Sequence, residues 1–476
     1  MLKASPLTPK ELRMQFAKLS MTTLLVGAGL AACGDNNGSA GPDASPDAAP
    51  SFAVNSCAKI GGTCMEIKSG DSATLQTMAN TIGANTTLVL DAGTYKMANA
   101  LTLRTKGAHI VGQGIDKTIL DYGQADAQAN GIDAIGDGFL VQDLTVLDAK
   151  KDGIRVESSN GVVFRRIKAT WTTASSAANG AYGIYPVKSQ NVLVEDSEAQ
   201  NASDAGLYVG QCQHVIVKGN HVKGNVAGLE IENTQYADVH DNIAEDNSGG
   251  IVVFDLPGNP IVGRDVRIYD NMILNNNHVN FASGGTVKQI PSGTGTFAMA
   301  SRRVEITNNK YMNNNTVDIS VISGLAIEPT AASWFLDTAT LSGKWDDLGL
   351  LVPAAGKVAN FRSENVVIKG NTHSGSGTAP DRNDPKMLGT LLGIHGLPIP
   401  NVLYDGIEET FDPDNMIYTN NHHICVGGNT GGTFADIGLA LQADNPATPF
   451  YKPAAPFAPF DCTALTGPAI VPVVLP

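Results

Sequence analysis

Five short segments of this chain repeat one phrase, a glycine followed by apolar and polar residues in alternation. They read Gly153-IRVES, Gly183-IYPVK, Gly206-LYVGQ, Gly228-LEIEN and Gly250-IVVFD. Laid over one another, the second residue after each glycine gives Arg155, Tyr185, Tyr208, Glu230 and Val252. The fourth gives Glu157, Val187, Gly210, Glu232 and Phe254, and the fifth gives Ser158, Lys188, Gln211, Asn233 and Asp255. Asp152 and Asp204 stand at the turns just before. On one shared surface, these residues could remove a proton next to a carboxylate. That reaction needs a base, a cation to neutralise the carboxylate, and an acid. Lys188 or a deprotonated tyrosine would be the base. Arg155, or a Ca²⁺ held by Asp and Glu, would neutralise the carboxylate. Tyr185 or Tyr208 would be the acid. Glu157, Asp204, Glu230, Glu232 and Asp255 would take hydroxyl groups, and tyrosine faces would take the rings that carry them. The alternative is a solvated polar face with no chemistry.

Such a surface exists only if the backbone stacks these segments in register. A second series supports stacking. Val141, Phe164, Val194, Val217, Val239, Ile268, Ile306 and Ile368 each stand fourth in a short strand phrase such as Asn191-VLVEDS or His214-VIVKGN. The early spacings lie between 22 and 30 residues and later ones are wider, as expected where loops are inserted. A unit this short cannot bury its apolar face alone, but stacked copies build a continuous core. Parallel strands stack ~4.8 Å apart, so like residues lie over like. Asn220, Asn242, Asn271, Asn309 and Asn371 are then expected in one column, and Asn225, Asn247, Asn276 and Asn314 in another five residues on. Stacked amides satisfy one another and the turn backbone. Leu75, Met78, Ala79 and Ile82 follow Asp71-Ser72 at helical spacing, which predicts an N-capped helix.

That helix, followed by TTLVLDAGTY (86–95), ALTL (100–103) and AHIVGQGIDKTILDYG (108–123), resembles the entry of right-handed parallel β-helix proteins of the pectate-lyase-like superfamily. The resemblance implies an all-β, single-stranded solenoid whose open end the helix caps. The solenoid is expected over 57–430, with inserted loops at 321–360 and 372–412 and an extended tail at 431–476. The segment AYGIYPVKSQNVLVEDSEAQNASDAGLYVGQ is similar to one subgroup of bacterial β-helix repeat lipoproteins. Tyr182-Gly183-Ile184-Tyr185-Pro186-Val187 resembles the Tyr-Gly-Phe-Asp-Pro-His-like motif of mannuronan epimerases, but Tyr185 replaces its Asp and Val187 its His. Of the polygalacturonase motifs only Arg166-Ile167-Lys168 is present, early and alone.

Charge and cysteines set the compartment. The chain has 32 Lys+Arg against 46 Asp+Glu, a net charge of −14 that argues against nucleic acid as a partner. With 42% hydrophobic and only 16% charged residues it is neither a disordered chain nor a coiled coil. Lys3, Lys10, Arg13 and Lys18 precede an apolar run too short to span a bilayer. The run ends Leu30-Ala31-Ala32-Cys33-Gly34, which resembles the lipobox of bacterial lipoproteins and implies acylation of Cys33. Residues 1–33 are therefore expected to be a signal peptide and 34–56 a disordered tether. Export permits disulfides, and proximity suggests Cys57–Cys64 and Cys425–Cys462, leaving Cys212 as a buried thiol. Asn421-His422-His423-Ile424-Cys425 lacks the spaced ligand pairs of a metal site, so no metal is expected there. The expectation is a monomeric, membrane-anchored protein facing the periplasm or cell surface. Its β-helix would engage acidic polysaccharide, as a lyase or C5-epimerase of uronic acid residues. The alternative is a non-catalytic adhesin, scaffold or envelope interaction module.

Overall fold

The computed structural model describes residues 55–386, 388–412, 414–462 and 469–476. The leader, most of the tether and Cys33 lie outside the described residues. Each coil has three strands, so the solenoid has three faces. One coil runs Gln190–Glu195, Glu198–Gln200 and Ala205–Gly210, and the next runs Gln213–Lys218, His221–Lys223 and Ala227–Glu232. All the rungs pair in parallel. The first and second faces merge into one sheet of 20 strands because Asn160–Thr170 runs through both; the third face is a separate sheet of 11 strands. The predicted files are present: Val194 pairs with Val217, and Val217 with Val239. Their side chains are fully buried in one core that runs the length of the solenoid.

Two asparagine ladders brace the corners of the second face. Asn220 Nδ2 donates to Val194 O at 3.0 Å and to Asn242 Oδ1 at 2.9 Å, and that oxygen also accepts from Asn220 N. The pattern repeats through Asn271, Asn309 and Asn371 to Asn429, one rung beyond the expected column. The second ladder runs Asn225, Asn247, Asn276 and Asn314. The repeated glycine has an equally local cause. A Cβ on Gly228 would stand 2.6 Å from Gly250 O and 2.8 Å from Asn247 Nδ2, inside any van der Waals contact.

The helix Ser72–Thr81 caps the N-terminal end. Asp71 accepts from Thr74 N, and Leu75 and Ala79 are buried against the core. Asn55, placed by sequence in the tether, is instead tied to the body through Gly112 O, Gln113 and Asp143. The interruptions also differ from expectation. The stretch 323–363 is one insert and carries a small antiparallel sheet. The second, expected at 372–412, is two inserts: Thr372–Ser374 and Val402–Tyr404 are rungs of the solenoid, separating 375–401 from 405–424. A further insert, 275–293, leads into Thr294–Met299. The last coil reaches Phe434–Asp436 and a helix follows at Leu439–Asp444, so 431–476 is not one extended tail. Its end does lie on the body, with Ile470 N donating to Glu305 and Val473 N to Asp238 on the first face.

Both expected disulfides, Cys57–Cys64 and Cys425–Cys462, are formed, and Cys212 is a buried free thiol. No described helix is long and apolar enough to cross a membrane.

Candidate functional site

The outer surface of the third face has an open part and a covered part. Arg155 pairs in register with Tyr185, and Tyr208 with Glu230, as the repeat predicts. From Tyr208 onward, however, the inserts lie over the sheet. Phe281, Val287 and Ile290 of one insert and Trp334 and Phe361 of another pack with Val252, Phe254 and Phe297 in a second apolar cluster. Tyr208 is 4% exposed and Glu230 1%. These two side chains point away from the core as expected, but they do not meet solvent.

At the border between the two parts, three tyrosines cluster, two pairs tilted and one edge-to-face. The ring centroids of Tyr182 and Tyr185 lie 4.6 Å apart, those of Tyr182 and Tyr208 4.7 Å, and those of Tyr185 and Tyr208 4.9 Å. Strict alternation from Tyr185 would turn Tyr182 inward. The strand bends where it starts: Gly183 and Ile184 both face the core, and Tyr182 swings out to join the cluster. A third tyrosine three residues before Tyr185 was the only sequence sign of it.

Carboxyl groups lie behind the tyrosines. Tyr182 Oη donates to Asp204 Oδ2 at 3.4 Å, and Asp204 and Glu230 hydrogen-bond to each other. Two carboxyls in such contact share one proton. Burial raises Glu230 well above the usual carboxylate range, and the charges of Asp204 and Glu232 push the same way. Glu230 is therefore the protonated partner at neutral pH. Burial also raises Asp204 to about 6, against the hydrogen bonds from Tyr182 and Glu230. Glu232 rises to about 7, chiefly by burial and despite hydrogen bonds from Tyr208 and Asn259. Asp152 rises to about 6 for the same first reason. The buried oxygens Glu230 Oε1 and Asp204 Oδ1 have no hydrogen-bond partner.

The open part carries a chain of ion pairs. Arg104 meets Asp133 at 3.0 Å, Arg155 meets Asp133 at 3.6 Å and also Glu157, and Lys188 meets Glu157 at 3.6 Å. Three cations thus share two carboxylates, so this ledge keeps a positive excess.

Several expected roles need correction. Burial, joined by neighbouring carboxylates, lifts Tyr185 to about 12; Tyr182 and Tyr208 are raised too. A tyrosinate base is disfavoured, and these hydroxyls are donors. Asp255 is no ligand for an external group. It is 2% exposed and accepts from Gly263 N at 2.8 Å and Asn360 Nδ2 at 2.9 Å beneath an insert. Lys188 sits at a left-handed corner (φ 51°) on the exposed rim and pairs with Glu157. Among the described residues no group of three His, Cys, Asp or Glu is arranged to hold a metal ion. Arg166-Ile167-Lys168 is structural: Arg166 pairs with Asp143, Ile167 is core and Lys168 meets Glu198.

Three faces of parallel rungs around one apolar core define a right-handed parallel β-helix. The family described as "right handed beta helix region" matches residues 124–273. No curated protein matches the chain. Among solved structures, it is similar to the Azotobacter vinelandii mannuronan C-5 epimerase AlgE4 A-module (TM-score 0.38, 16% identity, covering 71% of this chain and 90% of that one). It is also similar to pectate lyase Pel9A (0.33, 14%, 58% and 75%). The polygalacturonase from Erwinia carotovora ssp. carotovora is a third (0.39, 12%, 66% and 92%). These likenesses concern the fold alone.

Proposed function

We propose that the third face is a carbohydrate site that acts on uronic acid residues by proton transfer. The observation that carries this reading is the juxtaposition of a tyrosine cluster, a buried carboxyl pair sharing one proton and a cation-rich ledge. Tyrosine faces suit sugar rings. Arg155 is the group best suited to meet the substrate carboxylate, exchanging Glu157 or Asp133 for it. Glu232, near 7, suits a general base at neutral pH, while Tyr185 and the Asp204–Glu230 pair supply protons. The base takes the C5 proton. In elimination the electron pair forms the C4–C5 double bond and the O4 leaving group departs with a proton from the acid. In epimerisation a proton returns to C5 from the opposite side.

Polyuronate and glycosaminoglycan panels, read by the absorbance of unsaturated uronates and by product NMR, test the reading. Binding without turnover on every panel member would favour the second reading, a non-catalytic adhesin or scaffold. The depth of Glu230 and the ion pairs already made by Arg155 and Lys188 favour that rival. Under either reading we place the protein in the cell envelope, exported and anchored through acylated Cys33. The basic leader, the lipobox-like ending and the two disulfides support this.

A further inference from the structure

The insert 275–293 has two sides. Its apolar residues join the tyrosine cluster, and a methyl group on Gly285 would stand 4.0 Å from Asp204 Oδ2. Its other side, with the insert 375–401, encloses a pocket of about 230 Å³ that is separate from the tyrosine site. Ile290, Val279 and Pro385 give the pocket an apolar lining, and Asn315, Asn383 and Lys288 give it polar groups.

Some of its groups are already hydrogen-bonded. Two acids in the lining are held by backbone: Asp381 accepts from Ser292 N and Asn383 N, and Asp384 accepts from Lys386, Leu388 and Gly389 N at the start of a short helix. Asn277 donates to Asn313 O and accepts from Asn315 N of a solenoid turn, and Asn280 donates to Val287 O and Ile290 O of its own insert. The side-chain amides of Asn315 and Asn383 make no such bonds, and Lys288 Nζ makes one, to Ser283 O at 3.2 Å. What remains for a ligand is one ammonium group, two amides and an apolar wall, beside the two backbone-bonded carboxyls. Val279, 78% exposed, stands at its mouth. A saccharide residue has a matching surface: an apolar ring face, hydroxyls for amides, and in a uronic acid a carboxylate for the ammonium.

We infer that this pocket is a distal subsite for a carboxylated sugar residue of the same polymer that reaches the tyrosine site. The inference rests on the functional reading above. Asp204 and Asn315 precede rungs four coils apart, which at ~4.8 Å per coil places the far wall of the pocket about 19 Å from Asp204 along the solenoid; Lys288, three residues from Gly285, stands on the near wall. Short oligomers at the tyrosines would not reach the far wall at Asn315, and long ones would.

The test is calorimetric titration of the full chain with oligouronides of about three and about eight residues. The inference predicts at least tenfold tighter binding of the octamer than of the trimer. Lys288→Ala and the double variant Asn315→Ala/Asn383→Ala should remove that gain and leave trimer affinity unchanged. Val279→Glu, at an exposed position, should also reduce octamer binding by placing a like charge at the mouth. A wild-type protein with no length gain, or variants that keep it, would overturn the subsite while leaving the tyrosine site standing. Absence of binding for both oligomers would remove the underlying reading and the subsite with it.

Discussion

Glu230 concentrates the chemistry at the residue scale. Its carboxyl is buried, hydrogen-bonded to Asp204 and left with one oxygen unpartnered. If it stores the proton used in turnover, Glu230→Gln should lower kcat by ~10²-fold or more while leaving KM within about threefold, since acid–base groups contribute on that scale. Tyr185→Ala should instead raise KM, because it removes a ring face. Steady-state kinetics on the best uronate substrate checks both. The sequence made Arg155, Tyr185, Tyr208 and Glu230 legible as one column because strand register follows from the glycine spacing. It did not reveal that Tyr208 and Glu230 are roofed. Roofing depends on where the inserts at 275–293 and 323–363 fold back, which no local pattern encodes. Asp255 was misread for the same reason: an insert brings Asn360 to it.

At the scale of elements, the ladders and the glycine file set the stacking. Asn271 accepts from Asn242 N and Nδ2, and donates to Val239 O and Asn309 Oδ1, all fully buried. Asn271→Ala would strand these partners and should cost about 3 kcal/mol. Gln190→Ala, at an exposed strand position, should stay within about 0.5 kcal/mol. Urea denaturation of the two variants side by side measures the difference. These columns were readable from sequence because a five-residue offset recurred through four coils. The antiparallel sheet within 323–363 and the rung Val402–Tyr404 were not, because each is short and separated from the repeat by inserts; Thr372–Ser374 directly follows Asn371 but is only three residues long.

Across the whole molecule, buried acids and the closed ends govern stability. Asp152, Asp204 and Asp255 are raised to about 6, Glu232 and Asp405 to about 7, and Asp436 to about 8, in every case chiefly by burial. A carboxyl raised in the folded state binds its proton more tightly there than in the unfolded chain. The resulting stabilisation is complete below the unfolded pKa, near 4, and is lost as pH rises through 6 to 8. The melting temperature should therefore be several degrees higher at pH 5 than at pH 8.5, and Asp436→Asn should flatten that slope. The C-terminal end is closed by Phe460, which packs fully buried on Tyr404 and Phe434 and is held by the Cys425–Cys462 link across 37 residues. Closing a loop of that length is worth about 4 kcal/mol in the chain-entropy account. Cys462→Ser should lower the melting point and open 445–462 to limited proteolysis before the coils themselves.

The most direct measurement is deuterium exchange at C5. The protein is incubated with polyuronate in D₂O, and the product is read by NMR. The account predicts deuterium at C5, or an unsaturated product, for the wild type, and neither above background for Glu232→Gln, which lacks the base. A polymer that binds at the tyrosine cluster yet keeps every C5 proton would contradict it.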